Sequence, residues 1–142
     1  MNHDSYEPGL IRQILKDTRR IAMVGASPNP ARPSNGVLRF LVEKGYDVIP
    51  INPGHAGKTI HGKTVVASLA DIAGPVDMVD VFRAADQLQS VVDEVLAMPE
   101  RPKTIWGQLT VRDDEAASRA EAAGITVIMD RCPAIEYPRL MA

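Results

Sequence analysis

Arg20-Ile-Ala-Met-Val-Gly-Ala-Ser27 is the stretch from which the rest of this sequence is read. The apolar residues Ile21 to Val24 follow the charged pair Arg19-Arg20 and run directly into Gly25-Ala-Ser-Pro28. An uncharged run of this kind suits a strand covered on both faces, as central parallel strands are. Small, turn-forming residues come next, and a helical pattern begins near Pro33. Strand, small-residue turn and helix together present backbone N–H groups and the positive end of a helix dipole to a phosphate. The stretch therefore predicts a nucleotide-type ligand at the turn.

Outward from this strand, helical and extended patterns alternate. Upstream, Leu10, Ile11, Ile14 and Leu15 are spaced for one face of a short helix over 9–18, with Pro8 near its start, so residues 1–18 are expected to be a helical lead-in. Downstream, Val37, Leu38, Leu41 and Val42 mark a buried helical stripe opened by Pro33, and Gly45 stands where a left-handed residue closes a helix. Asp47–Ile51 predicts a second strand, followed by a loop rich in breakers over 52–58. A brief extended piece is expected over 64–66 and one helical turn over 68–71. Residues 76–82 predict a third strand despite Asp77 and Asp80, since acids are disfavoured inside strands. Leu88, Val91, Val92, Val95 and Leu96 then follow a helical period that Pro99 stops. Strands over 103–107 and 125–129 flank an alanine-rich helix over 113–123, with acids in its first turn and Gly124 beyond its end. The tail over 130–139 has two prolines and no period, and is expected to be coil.

Strands alternating with helices predict an α/β fold: a doubly wound parallel sheet of about five strands with helices on both faces. In such sheets the ligand crevice lies at the carboxyl ends of the strands, where strand order reverses. The segments meeting there are Gly25 to Ser27, Asn52-Pro53, Phe82-Arg83 and Gly107-Gln108.

With 142 residues, 45% hydrophobic and 24% charged, the chain is expected to be one domain over 1–142. A net charge of −2 without a basic cluster gives no nucleic-acid footprint. The absence of a membrane-length apolar run and of a signal-like start, with Cys132 as the single cysteine, leads to the expectation of a cytoplasmic protein.

The dinucleotide fingerprint requires G-x-G-x-x-G after the first strand and an acid at the end of the second. Here the turn is Gly25-Ala-Ser-Pro-Asn-Pro30 and the second strand runs into Asn52, which disfavours NAD. No G-x-x-x-x-G-K-[ST] occurs. What is left is a loop able to hold a phosphate through Ser27, Ser34 and backbone amides, with Arg32, Lys58 and Arg83 close by in the topology. A plain tight turn with solvated charges is the other reading of the same residues.

Val24-Gly-Ala-Ser-Pro28, Gly45-Tyr-Asp-Val-Ile-Pro-Ile-Asn-Pro53, Val76-Asp-Met-Val-Asp-Val-Phe-Arg83, Ile105-Trp-Gly-Gln-Leu109 and the run from Met129 to Leu140 together resemble the small stand-alone CoA-binding domain proteins of bacteria. That family is similar to the N-terminal CoA-binding domain of the succinyl-CoA synthetase α subunit, and the resemblance extends over about 18–140. It implies a Rossmann-like fold with coenzyme A, or an acyl-CoA, as ligand. By position, Gly25, Ala26 and Ser27 match the phosphate-side loop. Asn52, Pro53 and the loop through His55 to Lys58 match the segment meeting the nucleotide end, and Phe82 and Arg83 match the pantetheine path. The synthetase domain carries a lysine where this chain has His55, and Lys58 is the candidate substitute. The phosphorylated histidine of the synthetase lies in a second domain without counterpart in this sequence, so the expected role is CoA binding without catalysis by the chain alone. An NAD(P)-binding protein or enzyme fragment, and a CoA-sensing regulatory subunit docking on a partner enzyme, are the alternatives.

His55 and His61 with Asp71 match no zinc spacing, so no metal site is expected. Asp77 and Asp80 fall on opposite faces of a strand and do not make a carboxylate pair. Cys132, between Arg131 and Pro133, has two readings: a small buried residue, or a candidate redox residue that forms a mixed disulfide with the CoA thiol or another small thiol. Trp106 is either core or a ligand platform.

Overall fold

In the computed structural model, which describes residues 1–141, the run after Arg20 becomes β1 (Arg20–Val24), the second strand of the main sheet. α1 (Pro8–Asp17) precedes it, and α2 (Pro33–Glu43), β2 (Asp47–Ile51), β3 (Thr59–Ile60) and β4 (Lys63–Thr64) follow. The remainder is β5 (Met78–Val81), α3 (Leu88–Leu96), β6 (Thr104–Gly107), α4 (Asp114–Ala122), β7 (Thr126–Ile128) and α5 (Pro133–Leu140). Single 3₁₀ turns occupy Pro53–His55, Leu69–Asp71 and Ala85–Gln87.

The five-stranded sheet has the order β2-β1-β5-β6-β7 with every pairing parallel. Strand alternation sorts its side chains into two cores. Ala22, Val24, Val79, Val81, Ile105 and Val127 pack against Val91, Val92 and Val95 of α3 and Ala116, Ala117 and Ala120 of α4. Ile21, Met23, Met78, Trp106 and Ile128 face α1, α2 and α5. The alanine face of α4 lets that helix lie close to the sheet, and Asp113 caps its start by accepting the Glu115 and Ala116 N–H groups at 3.1 Å. This is the Rossmann-like, doubly wound α/β fold expected. No helix of the described residues is long and apolar enough to cross a membrane.

One expectation fails and another is filled out. The tail is not coil: α5 begins at Pro133, and Pro138 lies inside it. Pro133 fits because a first-turn residue has no N–H partner to lose. Pro138 gives up one helical bond, a loss offset by Tyr137, whose ring meets those of Phe40 and Tyr46 edge-on at 5.7 and 6.2 Å. The extended piece expected over 64–66 is present and belongs to two pairings: Thr64 ends β4, which pairs antiparallel with β3 across His61-Gly62, and Val66 forms a parallel bridge to Ile51. Trp106 is core, fully buried, with its indole N–H donating to the Arg131 carbonyl at 2.9 Å.

Candidate functional site

Strand order reverses at β1, with β2 on one side and β5 on the other, and a cavity of about 660 Å³ opens above the carboxyl ends of the strands there. That volume is typical of small-molecule sites. Its wall is assembled from the turn after β1, the start of α2, the ends of β2, β5 and β6, and Cys132 before α5.

At the β1–α2 corner the backbone is tied down. Gly25 has φ of 86°, and a Cβ there would lie 2.2 Å from the Phe82 carbonyl oxygen, so only glycine lets the two strand exits cross. The Gly25 and Ala26 N–H groups both donate to the Ile51 carbonyl, at 3.1 and 3.2 Å. This narrows the expectation that the turn's amides are offered to a phosphate: the pairing of β1 with β2 continues past the strand and takes two of them. The carbonyls are equally occupied. Asn52 Nδ2 donates to Ala26 O at 2.9 Å, and Asn35 Nδ2 donates to Ser27 O at 3.0 Å. Asn35 is braced in turn by His61 Nε2 at 2.8 Å. Ser27 Oγ accepts the Asn29 N–H at 3.1 Å, which leaves its own proton for a ligand oxygen. With its carbonyls capped, the corner turns little negative charge toward the cavity.

Of the residues the sequence singled out, Gly25, Ser27, Arg32, Ser34, Asn52, His55, Phe82, Arg83 and Cys132 line this cavity. Ala26, Pro53 and Lys58 are not in its wall: Ala26 is fully buried against the α2 core, and Pro53 and Lys58 are exposed. Arg32 and Arg83 are exposed, and among the described residues neither takes part in an ion pair. His55 Nδ1 is buried without a hydrogen-bond partner. The lining contains no Asp or Glu.

Of the opposite wall, formed by Ala84, Gln108, Leu109, Thr110 and Val111 with Val37 from α2, the sequence named only Gln108, as part of a strand end meeting the crevice. Here the exits of β6 and β7 interlock. Arg131 N–H donates to Gly107 O and Asp130 N–H to Val111 O, both at 3.3 Å, while Asp130 Oδ1 accepts the Thr110 N–H at 2.7 Å. Thr110 and Asp130 adopt φ of 73° and 56°. Gln108 is 6% exposed and its Oε1 has no partner. Nothing about a glutamine after a strand marks it as a ligand group. The only signal was its place at a strand's carboxyl end.

Below this floor, on β5, Asp80 is fully buried and neither carboxylate oxygen has a partner. Burial pushes its carboxyl well above the ordinary aspartate range.

Comparison with known proteins bears on this site. The family described as CoA binding domain matches residues 19–138. An uncharacterised protein of Bacillus subtilis, YneT, is 40% identical over 125 residues, covering 86% of this chain and 87% of that protein. A solved Thermus thermophilus protein is 40% identical with a TM-score of 0.89, covering 95% of this chain and 99% of that one. An acetyl-coenzyme A synthetase of Ca. Korarchaeum cryptofilum, solved with phosphate and ADP, is 25% identical with a TM-score of 0.68, the match covering 85% of this chain and 27% of that one.

Proposed function

This chain belongs to the CoA binding domain family, and we propose that the cavity at the carboxyl ends of its strands binds coenzyme A or an acyl-CoA. One observation carries the reading: the cavity wall holds Arg32, His55 and Arg83 and no carboxylate. A ligand with several phosphates matches such a wall, and the amino end of α2 adds its dipole. In this reading the diphosphate lies against Ser27, Ser34 and Arg32. The nucleotide end meets Asn52 and His55, and the pantetheine arm passes Phe82 and Arg83 toward Gln108. Asn52, already holding Ala26 and accepting the Gly54 N–H, orders the loop more than it reads the ribose.

Binding rather than catalysis is the role assigned to the chain alone. The ionisable side chains of the wall are Arg32, His55, Arg83 and Cys132, and among the described residues no hydrogen bond joins any two of them into a nucleophile and base. The matching part of the synthetase is about a quarter of that chain, 27%, which supports a module that serves chemistry carried out elsewhere.

Calorimetric titration tests the reading. Coenzyme A is expected to bind, dephospho-CoA more weakly, and NAD not measurably; NAD binding without CoA binding overturns it. Ser27→Asp should weaken CoA by about tenfold or more, because it sets like charge against the phosphates. Unchanged affinity in that variant would move the phosphates away from this corner.

A further inference from the structure

We infer that Cys132 is a thiol-exchange site, forming a mixed disulfide with the pantetheine thiol of a CoA delivered through the same cavity. This rests on the CoA reading above and adds a covalent step to it. Cys132 is the single cysteine of the chain, lines the cavity and is 7% exposed. It stands at the N-cap of α5, yet its side chain makes no capping bond, so the sulfur has no competing local role.

The fold fixes how far this sulfur lies from the phosphate corner. The Arg131 N–H bond to Gly107 holds the segment over β6, and β6 is two strands from β1 in the sheet order. Two strand spacings are about 10 Å. The arm from phosphate to thiol in pantetheine has the backbone length of about four residues, roughly 14 Å when extended. It reaches Cys132 with slack.

A second group points to the same arm independently. Gln108 is 6% exposed, belongs to the same wall, and its Oε1 has no partner. A buried amide oxygen of this kind calls for an N–H donor. Pantetheine carries two amide N–H groups behind its thiol, so a Gln108 bond to one of them sets the sulfur beside the β6–α5 corner where Cys132 lies.

The step is a disulfide exchange with CoA disulfide, a low-molecular-weight disulfide. Cys132 gives its proton to solvent and its sulfur attacks one sulfur of the CoA disulfide. The S–S bond of the CoA disulfide breaks, a Cys132–CoA disulfide forms, and the second CoA leaves as a thiolate that takes up a proton. A further thiol reverses the exchange. Because Cys132 is buried, a disulfide that the cavity binds gains access that a free one lacks.

Intact-mass kinetics of the full chain with CoA disulfide and, separately, oxidised glutathione test the inference. The expected result is one CoA adduct, removed by dithiothreitol, forming at least about tenfold faster than the glutathione adduct. Gln108→Leu should lower that rate ratio by about tenfold, and Cys132→Ser should form no adduct. Equal rates for the two disulfides overturn the inference. Calorimetry of the wild-type chain with reduced CoA separates the two levels: binding without an adduct overturns only the exchange, and neither binding nor adduct overturns the CoA reading as well.

Discussion

At the β1–α2 corner of the cavity, glycine supplies the unusual backbone and the Ala26 and Ser27 carbonyls each have an asparagine donor. At the β6–β7 corner, Thr110 and Asp130 take positive φ without being glycine, and Gln108 keeps an unpartnered oxygen. The first corner is complete without a ligand. The second stores strain and an open acceptor, both of which tend to collect where a ligand finishes the structure. The cavity thus joins a rigid anchor to a wall that keeps strain and an unmet acceptor.

The largest effect should come from breaking the anchor. Gly25→Ala puts a Cβ 2.2 Å from the Phe82 carbonyl oxygen at a φ of 86°, so steric overlap and left-handed strain add. We expect a loss of about 4 kcal/mol in urea unfolding. Gly107→Ala at the other corner meets the Val111 carbonyl oxygen at 2.6 Å, without a positive φ. It should cost about 2 kcal/mol, since the wall can shift. Equal losses would remove the distinction between a rigid and a yielding corner.

Asp80 lies on β5, between the two corners in the sheet order. Its folded-state carboxyl holds a proton more tightly than in the unfolded chain. That group favours folding most below the unfolded aspartate pKa, and the advantage fades as pH rises from there toward the raised folded value. Asp80→Asn cannot ionise, so it should be the more stable protein at pH 8, on the order of 2 kcal/mol, with the gap closing toward pH 4. Urea midpoints across that range check the sign; a gap that widens toward acid would mean Asp80 is stabilised as a carboxylate.

The anchor was legible in the sequence, and the wall was not, for physical reasons. Ile21 to Val24 running into Gly25 announces a buried strand and a backbone that only glycine permits, and Pro33 and Gly45 mark both ends of α2. Their side chains, or lack of them, encode the geometry directly. Thr110 and Asp130 carry no such mark, because their conformation is imposed by the interlocking of two strand exits far apart in the chain. Gln108 could be placed at the crevice as a strand end, but its unpartnered oxygen shows only in the structure. α5 was obscured by reading two prolines as breakers when the first was a helix start. The β3–β4 hairpin did carry a readable signal: His61-Gly62, with φ of 48° and 79°, is a variant of the Asn-Gly pair that favours a two-residue turn with both residues left-handed. Which residues line the cavity was less legible still, since exposure of Lys58 and burial of Ala26 depend on where the loops pack.

The smallest effect is also the sharpest probe of the strained wall. Threonine is β-branched and poorly suited to φ of 73°, a cost of about 1–2 kcal/mol that glycine does not incur. Glycine loses part of this gain to the greater freedom of its unfolded chain, about 0.5–1 kcal/mol. Thr110→Gly should therefore stabilise the free protein by about 0.5–1 kcal/mol. Asp130→Gly removes less strain, since aspartate tolerates this region better than threonine, and also removes the carboxylate that accepts the Thr110 N–H at 2.7 Å, so it should destabilise by about 1 kcal/mol. The pair of unfolding curves is informative because the strain argument alone gives both variants the same sign, whereas strain held by a specific hydrogen bond gives them opposite signs. If Thr110→Gly also weakens CoA binding while raising stability, the strain is being used to hold the wall in the shape that receives the ligand.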